Sequence, residues 1–171
     1  MRTIINYQRD EITELWKKYN ESSQKLAKAL GRTNNIVGEY AEYLALQHIG
    51  GELLKSSNIS ADIRAGNGTL YQVKCRKVKN NFTTQLNVIR SWEFDFLFVI
   101  LFNENGAVEK ALISPVFVAQ EYGKENIYLN GCVITTTYNF LSDSRNQDIT
   151  CDIKKLQTAY LPLEDVRNDA F

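Results

Sequence analysis

Apolar residues recur at helical spacing twice near the start of the chain, and strand-like runs take over after them. The first run, opened by Asp10 as a cap, sets Ile12, Leu15, Trp16, Tyr19, Leu26 and Leu30 on one stripe, with Gly31 as its stop. A second helix is predicted over about residues 35–48. Ile36, Val37, Tyr40, Ala41, Leu44 and His48 form its buried stripe, and Gly50-Gly51 end it. Glu39 and Glu42 fall on the opposite flank, away from the main core. Three short strands follow, near residues 52–57, 61–65 and 70–78. Residues 94–102 are apolar except for Asp95 and predict a strand buried on both faces. Asn103-Glu104-Asn105-Gly106 reads as a turn, with residues 108–113 as the returning strand. Pro115 after Ser114 opens a helix to about residue 122, stopped by Gly123. The β-branched run over 132–140 predicts another strand, 85–91 suits a strand, a helix or an ordered loop, and 142–171 is polar and irregular. Together these elements predict one α/β domain over residues 1–171, a central mixed sheet flanked by helices, with no internal repeat or linker.

Composition narrows what such a domain does. At 171 residues and 44% hydrophobic, the chain buries a core without disulfides or structural metal. Its 20 basic residues balance 20 acidic ones, so bulk attraction to nucleic acid is absent and any basic surface must be local. Three well-separated cysteines without metal-ligand spacing predict reduced thiols and a cytoplasmic location. The first fifteen residues mix charged with apolar residues, and no apolar run is long enough to span a bilayer, so neither a secretion signal nor a membrane segment is expected. A single histidine excludes His-rich zinc sites and argues against a Ser-His-Asp mechanism.

The candidate chemistry lies in Ser60-Ala-Asp-Ile-Arg-Ala-Gly-Asn-Gly-Thr-Leu-Tyr-Gln-Val-Lys-Cys-Arg76. Gly66 and Gly68 flank Asn67 and are expected to supply the positive φ angles of a tight hairpin. Period-two alternation then puts Leu70, Gln72, Lys74 and Arg76 on one face, and Tyr71, Val73, Cys75 and Lys77 on the other. In matching register, Asp62 on the partner strand meets Gln72 and Lys74 at the open end of the hairpin. This cluster suits metal-assisted phosphodiester hydrolysis, which needs charge compensation at the phosphoryl oxygens and an activated in-line water. Mg²⁺ takes hard oxygen ligands and keeps several waters, so one carboxylate with neutral carbonyl oxygens suffices. Asp62 is the charged ligand, Gln72 offers its side-chain carbonyl and Val73 its backbone carbonyl. Lys74 orients the water or offsets transition-state charge. Arg76, Lys77, Lys79 and Arg90 are candidate DNA phosphate contacts, and the same run also suits a solvated edge. Trp92 suits base stacking or core anchoring, while His48 and Cys75 read as structural.

Residues 62–74 resemble the core motif of the PD-(D/E)XK nuclease superfamily, in which an Asp and an acid-X-Lys triplet on adjacent strands bind Mg²⁺. Gly38-Glu39-Tyr40-Ala41-Glu42 is similar to the Gly-x-x-Ala-Glu helix of many members, which implies Glu42 as a further metal-site residue, with Glu39 as its substitute. The match covers about residues 35–78, with support from the strand at 94–102. Ala61 stands where the family has Pro. Gln72 stands at the acidic position and removes one negative charge, as in the Gln-X-Lys branch of restriction endonucleases; Holliday junction resolvases are similar in pattern as well. The resemblance implies a restriction-endonuclease-like core at about residues 35–103, Mg²⁺ with Mn²⁺ as a substitute, and DNA as the substrate. One short chain presents one site, so cutting both strands implies a homodimer. The alternative is a noncatalytic nuclease-fold module that binds nucleic acid or a protein partner, and a plain structural α/β domain is a third reading.

Overall fold

The structure, a computed structural model, describes residues 36–55, 60–79 and 82–158, together with residues 18, 21–26, 28 and 29 of a preceding helical segment. Most of the first predicted stripe, including its cap and stop, lies outside the described residues. Helix α1 spans Ile36–Ile49. Its end follows from Gly50 and Gly51, which turn the chain at φ +74° and +95°, with the Gly50 N–H still donating to the Leu46 carbonyl at 2.8 Å.

Strands β1 (Glu52–Leu53), β2 (Ile63–Arg64), β3 (Leu70–Lys77), β4 (Phe96–Phe102), β5 (Val108–Pro115) and β8 (Gln147–Asp148) lie in the order β1-β2-β3-β4-β5-β8. Only β3 and β4 run parallel, so the sheet is mixed. As its pattern predicts, β4 is central, and all its residues from Leu97 to Phe102 are buried. One face of the sheet packs Tyr71, Val73, Cys75, Phe98 and Ile100 against Ala41, Leu44 and Ala45 of α1 and against Ile153 of α4 (Thr150–Thr158). Leu97, Val99, Leu101 and Leu112 on the other face meet Leu86, Ile89, Ala119 and Phe140. The last two belong to α2 (Val116–Tyr122) and α3 (Tyr138–Leu141). The chain is thus an α/β domain with helices on both faces. Each fully buried Phe or Leu in these layers contributes about 1.5–3 kcal/mol. A hairpin of β6 (Gly123–Asn126) and β7 (Gly131–Ile134) sits beside the main sheet. No helix among the described residues is long and apolar enough to cross a membrane.

Four expectations need correction. Residues 142–171 are not irregular throughout, because β8 and α4 lie among those described. Glu39 does not face outward: it is 7% exposed. Tyr43 and Leu46, one and two turns further along the same flank, are themselves packed against the core, so α1 is covered on more than its sheet side. In the hairpin turn only Gly68 adopts a positive φ, +88°; Gly66 does not. The loop Gly66-Asn67-Gly68 closes with the Gly68 N–H on the Ala65 carbonyl and needs one left-handed residue, at its end. Finally, the strand predicted over 132–140 stops at Ile134. Thr136 is buried, with its hydroxyl bonded to the Phe82 carbonyl and accepting from Thr84 N–H at 3.0 Å, and Thr137 caps α3. These threonines spend their hydroxyls on neighbouring backbone, and past Ile134 the pairing narrows to the Thr135 bridge and the Thr136 N–H on the Thr84 carbonyl at 2.8 Å. Residues 85–89 form an ordered segment that bridges to β7 at Gln85–Thr135 and Ile89–Cys132.

Candidate active site

Strand β2 is only two residues long, and this shortness creates the site. It pairs with β3 at Ile63–Tyr71 and Arg64–Leu70, and the Asp62 N–H donates to the Tyr71 carbonyl at 2.8 Å. Beyond that point no strand among the described residues covers the edge of β3. The Asp62 side chain reaches along this edge and fills the role of the missing strand. Its Oδ2 accepts from the Val73 N–H at 2.7 Å and from Gln72 Nε2 at 2.6 Å. Backbone groups alternate sides along a strand. Leu70 exchanges bonds with Asp95 on the β4 side, so Tyr71 and Val73 point toward the free edge, and the Val73 carbonyl points there with its N–H.

The side-chain alternation follows the predicted pattern. Tyr71, Val73 and Cys75 enter the layer under α1, while Leu70 enters the opposite layer, the face that Gln72 and Lys74 share with it. Gln72 is buried at 5% exposure, which its hydrogen bond to a carboxylate makes tolerable. Burial lowers the Lys74 pKa below the ordinary lysine value, against the opposing pull of Asp62, Cys75 and Glu42 and with a further push from Arg90. Both carboxylates of the predicted site therefore act on one ammonium group.

Burial also pushes the Cys75 thiol up to about 11, with Glu42 the largest charge acting on it. The folded value exceeds the ordinary 9.0. Cys75 therefore stabilises the fold fully below pH 9.0, and that contribution is lost as pH rises through about 11. A thiol this protonated and buried is a poor nucleophile, whereas Cys151 is exposed. Iodoacetamide at neutral pH is expected to label Cys151 quickly and Cys75 only after denaturation, as read by peptide mass spectrometry. Rapid labelling of Cys75 in the folded chain would contradict its placement under α1.

The four predicted phosphate contacts divide into two groups. Arg76 and Arg90 are exposed near Lys74; Arg76 Nε donates to the Gln85 carbonyl at 2.8 Å. Lys77 and Lys79 instead turn to Glu104 in the β4–β5 loop, Lys79 pairing with its carboxylate at 3.4 Å. Trp92 packs on Phe94 with ring centroids 5.7 Å apart, as a core anchor does, and His48 meets Phe98 edge-on at 6.0 Å. One feature at the site has no local signal in the sequence. Ser60 Oγ donates to Glu93 at 2.9 Å and lies 3.2 Å from the Ser91 hydroxyl, whose proton it can accept, tying the approach to Asp62 to a segment more than thirty residues away.

The donors suit a hard cation. Asp62 and Glu42 are carboxylates, the Val73 carbonyl faces the free edge, and the Gln72 amide presents its oxygen after a half-turn of its terminal group. That half-turn sets two oxygens against each other beside Asp62 and is favourable only with a cation between them. Among the described residues no group of three His, Cys, Asp or Glu side chains is gathered, so protein ligands to a cation here would be few and most of its shell would be water. No known family model matches the chain, and no curated protein matches it.

Proposed function

We propose that the chain is a Mg²⁺-dependent endonuclease that hydrolyses DNA phosphodiester bonds, built on a restriction-endonuclease-like core and acting in the cytoplasm. The observation that carries this reading is the free edge of β3, where the Asp62 carboxylate holds Gln72 and the Val73 N–H beside Lys74. Asp62, Glu42, Gln72 and the Val73 carbonyl would hold the cation. Bound there, it would offset phosphoryl charge and lower the pKa of a coordinated water. Lys74 binds its proton less tightly than a solvated lysine and sits where it can donate to a phosphoryl oxygen or steady a water. Arg76 and Arg90 contact the backbone on the same face. Cutting both strands requires two copies, hence a homodimer.

Cleavage of linear, supercoiled and branched DNA during Mg²⁺ or Mn²⁺ titration tests the reading, with loss of cutting on chelation as the expected result. Gln72→Glu sets a second carboxylate 2.6 Å from the first, so its Tm is expected to fall without metal and to recover with Mg²⁺. Gln72→Leu is expected to bind Mg²⁺ more weakly by calorimetry. A specific observation favours a second reading, a noncatalytic module that binds nucleic acid or a protein. The Gln72 amide already occupies the position beside Asp62 as a donor, as it would in a site that has given up its metal. Absence of metal binding and of cutting in both the parent and Gln72→Glu would select that reading.

A further inference from the structure

Three consecutive apolar side chains, Ile127, Tyr128 and Leu129, stand 84%, 100% and 46% exposed at the tip of the β6–β7 hairpin. The chain itself holds this tip in shape. Asn126 Oδ1 accepts from the Leu129 N–H at 3.1 Å, and Asn130, in left-handed backbone at φ 50°, returns its N–H to the Ile127 carbonyl at 3.2 Å. One 3₁₀ turn, tied at both ends, thus presents an apolar knob already ordered in the free protein.

The root of the hairpin connects to the Asp62 edge of β3. Cys132 of β7 exchanges backbone hydrogen bonds with Ile89, each at 2.8 Å, and Leu86, Ile89 and Ile134 all enter the layer on the face that Lys74 shares. The fit is close, since a Cβ at Gly131 would lie 2.5 Å from the Ile89 carbonyl oxygen. From Ile89 the chain continues through Arg90, whose charge acts on Lys74, to Ser91, whose hydroxyl lies 3.2 Å from Ser60 Oγ, two residues before Asp62. Because the pairing of Ile89 with Cys132 is antiparallel, Arg90 and Ser91 advance in the direction of the tip.

Area and charge decide what covers the knob. A second copy would gain on the order of a few hundred Å² from these three side chains, short of the ~800 Å² per partner of a stable interface. A lipid surface is drawn to basic flanks, and the exposed residues leading into the tip, Lys124 and Glu125, cancel. A DNA duplex offers both partners at once, phosphates for Arg90 and a base stack for apolar side chains that wedge between base pairs.

We propose that the tip formed by Ile127, Tyr128 and Leu129 is a wedge that enters the base stack of duplex DNA bound along the β3 edge, and that the substrate is DNA with a weakened step, such as a mismatch or a bulge. This substrate class rests on the DNA reading above. Opening a paired step costs stacking that a mispaired step has already lost, so the wedge converts weak stacking into affinity.

Fluorescence anisotropy of the full chain with matched, mismatched and single-base-bulged duplexes, with Ca²⁺ in place of Mg²⁺ to keep the strands uncut, tests it. The mismatched and bulged duplexes are expected to bind at least about tenfold more tightly than the matched one. Tyr128→Ser, at a fully exposed side chain, is expected to reduce that preference, Ile127→Ser together with Tyr128→Ser to bring it within about twofold of none, and Tyr128→Phe to keep it. Equal affinity for the three duplexes, an undiminished preference in the double variant, or no binding to any duplex would overturn the proposal. A double variant that loses self-association or vesicle binding in place of the preference would assign the tip to a second copy or a lipid surface, and overturn it as well. Cleavage separates this from the nuclease reading: cutting without a tip-dependent preference removes the wedge alone, and a tip-dependent preference without cutting removes the nuclease alone.

Discussion

Lys74→Met is expected to cut metal-dependent cleavage about a hundredfold or more, as removal of a transition-state contact does, while leaving Tm unchanged or raised. The two effects separate because burial is the largest influence on Lys74, and it lowers the pKa. The folded chain holds this proton less tightly than the unfolded chain does. The charged lysine therefore costs stability below its folded pKa, a cost that fades as pH rises from there to the ordinary 10.5. Methionine keeps the length and the packing and removes the charge. Asp62→Ala is expected to lose cleavage to the same degree and to lower Tm as well. Two donors lose their acceptor there, the Val73 N–H and the Gln72 amide, each at about 1–3 kcal/mol. A lysine with a purely structural role would show Tm falling together with activity. Parental cleavage rates in both variants would remove this edge of β3 from the chemistry.

How much of this was legible beforehand depends on how local each signal is. The face-sharing of Gln72 and Lys74 follows from strand alternation alone, and β4 announces its central place by an apolar run that only a doubly covered strand tolerates. Helix α1 is bounded by its own residues, the Ile36 stripe and the Gly50-Gly51 stop. Its outer flank was illegible because a helical wheel shows which residues share a flank but not whether that flank is covered, and Glu39 is buried on it. Strand β8 has two residues and exists only because β5 offers it an edge, and α4 is held mainly through Ile153 and the preceding Ile149; neither gives a periodic run long enough to read. The same limit hid the Ser60–Glu93 contact and a cavity lined by Phe82, Lys110 and Asn146, whose walls come from three separate stretches of chain. Alternation identified the residues that share a face, but not that Asp62 would spend its carboxylate on the backbone of β3.

That use of Asp62 depends on a close approach at the end of α1, and Gly51→Ala is expected to expose the dependence. Gly50 and Gly51 both occupy left-handed backbone, at φ +74° and +95°. A side chain at Gly50 meets nothing within 4 Å, so Gly50→Ala is expected to cost only the left-handed penalty, about 1–2 kcal/mol. A Cβ at Gly51 would lie 2.2 Å from the Arg64 carbonyl oxygen and 2.8 Å from Ala65 Cα. Both contacts are backbone, so no rotamer change relieves them and β2 must move. A cost of about 3 kcal/mol or more is expected, the sum of the left-handed penalty and this displacement. Arg64 and Asp62 share one short segment, and Asp62 is anchored on its other side by the Leu54 N–H on its carbonyl at 2.8 Å. Displacing β2 therefore pulls the carboxylate from Val73 and Gln72, and Mg²⁺ affinity is expected to fall in Gly51→Ala but not in Gly50→Ala. Urea unfolding and metal calorimetry on the two variants measure both effects. Equal destabilisation by the two substitutions would mean that the close packing of this turn against β2 does not govern the placement of Asp62.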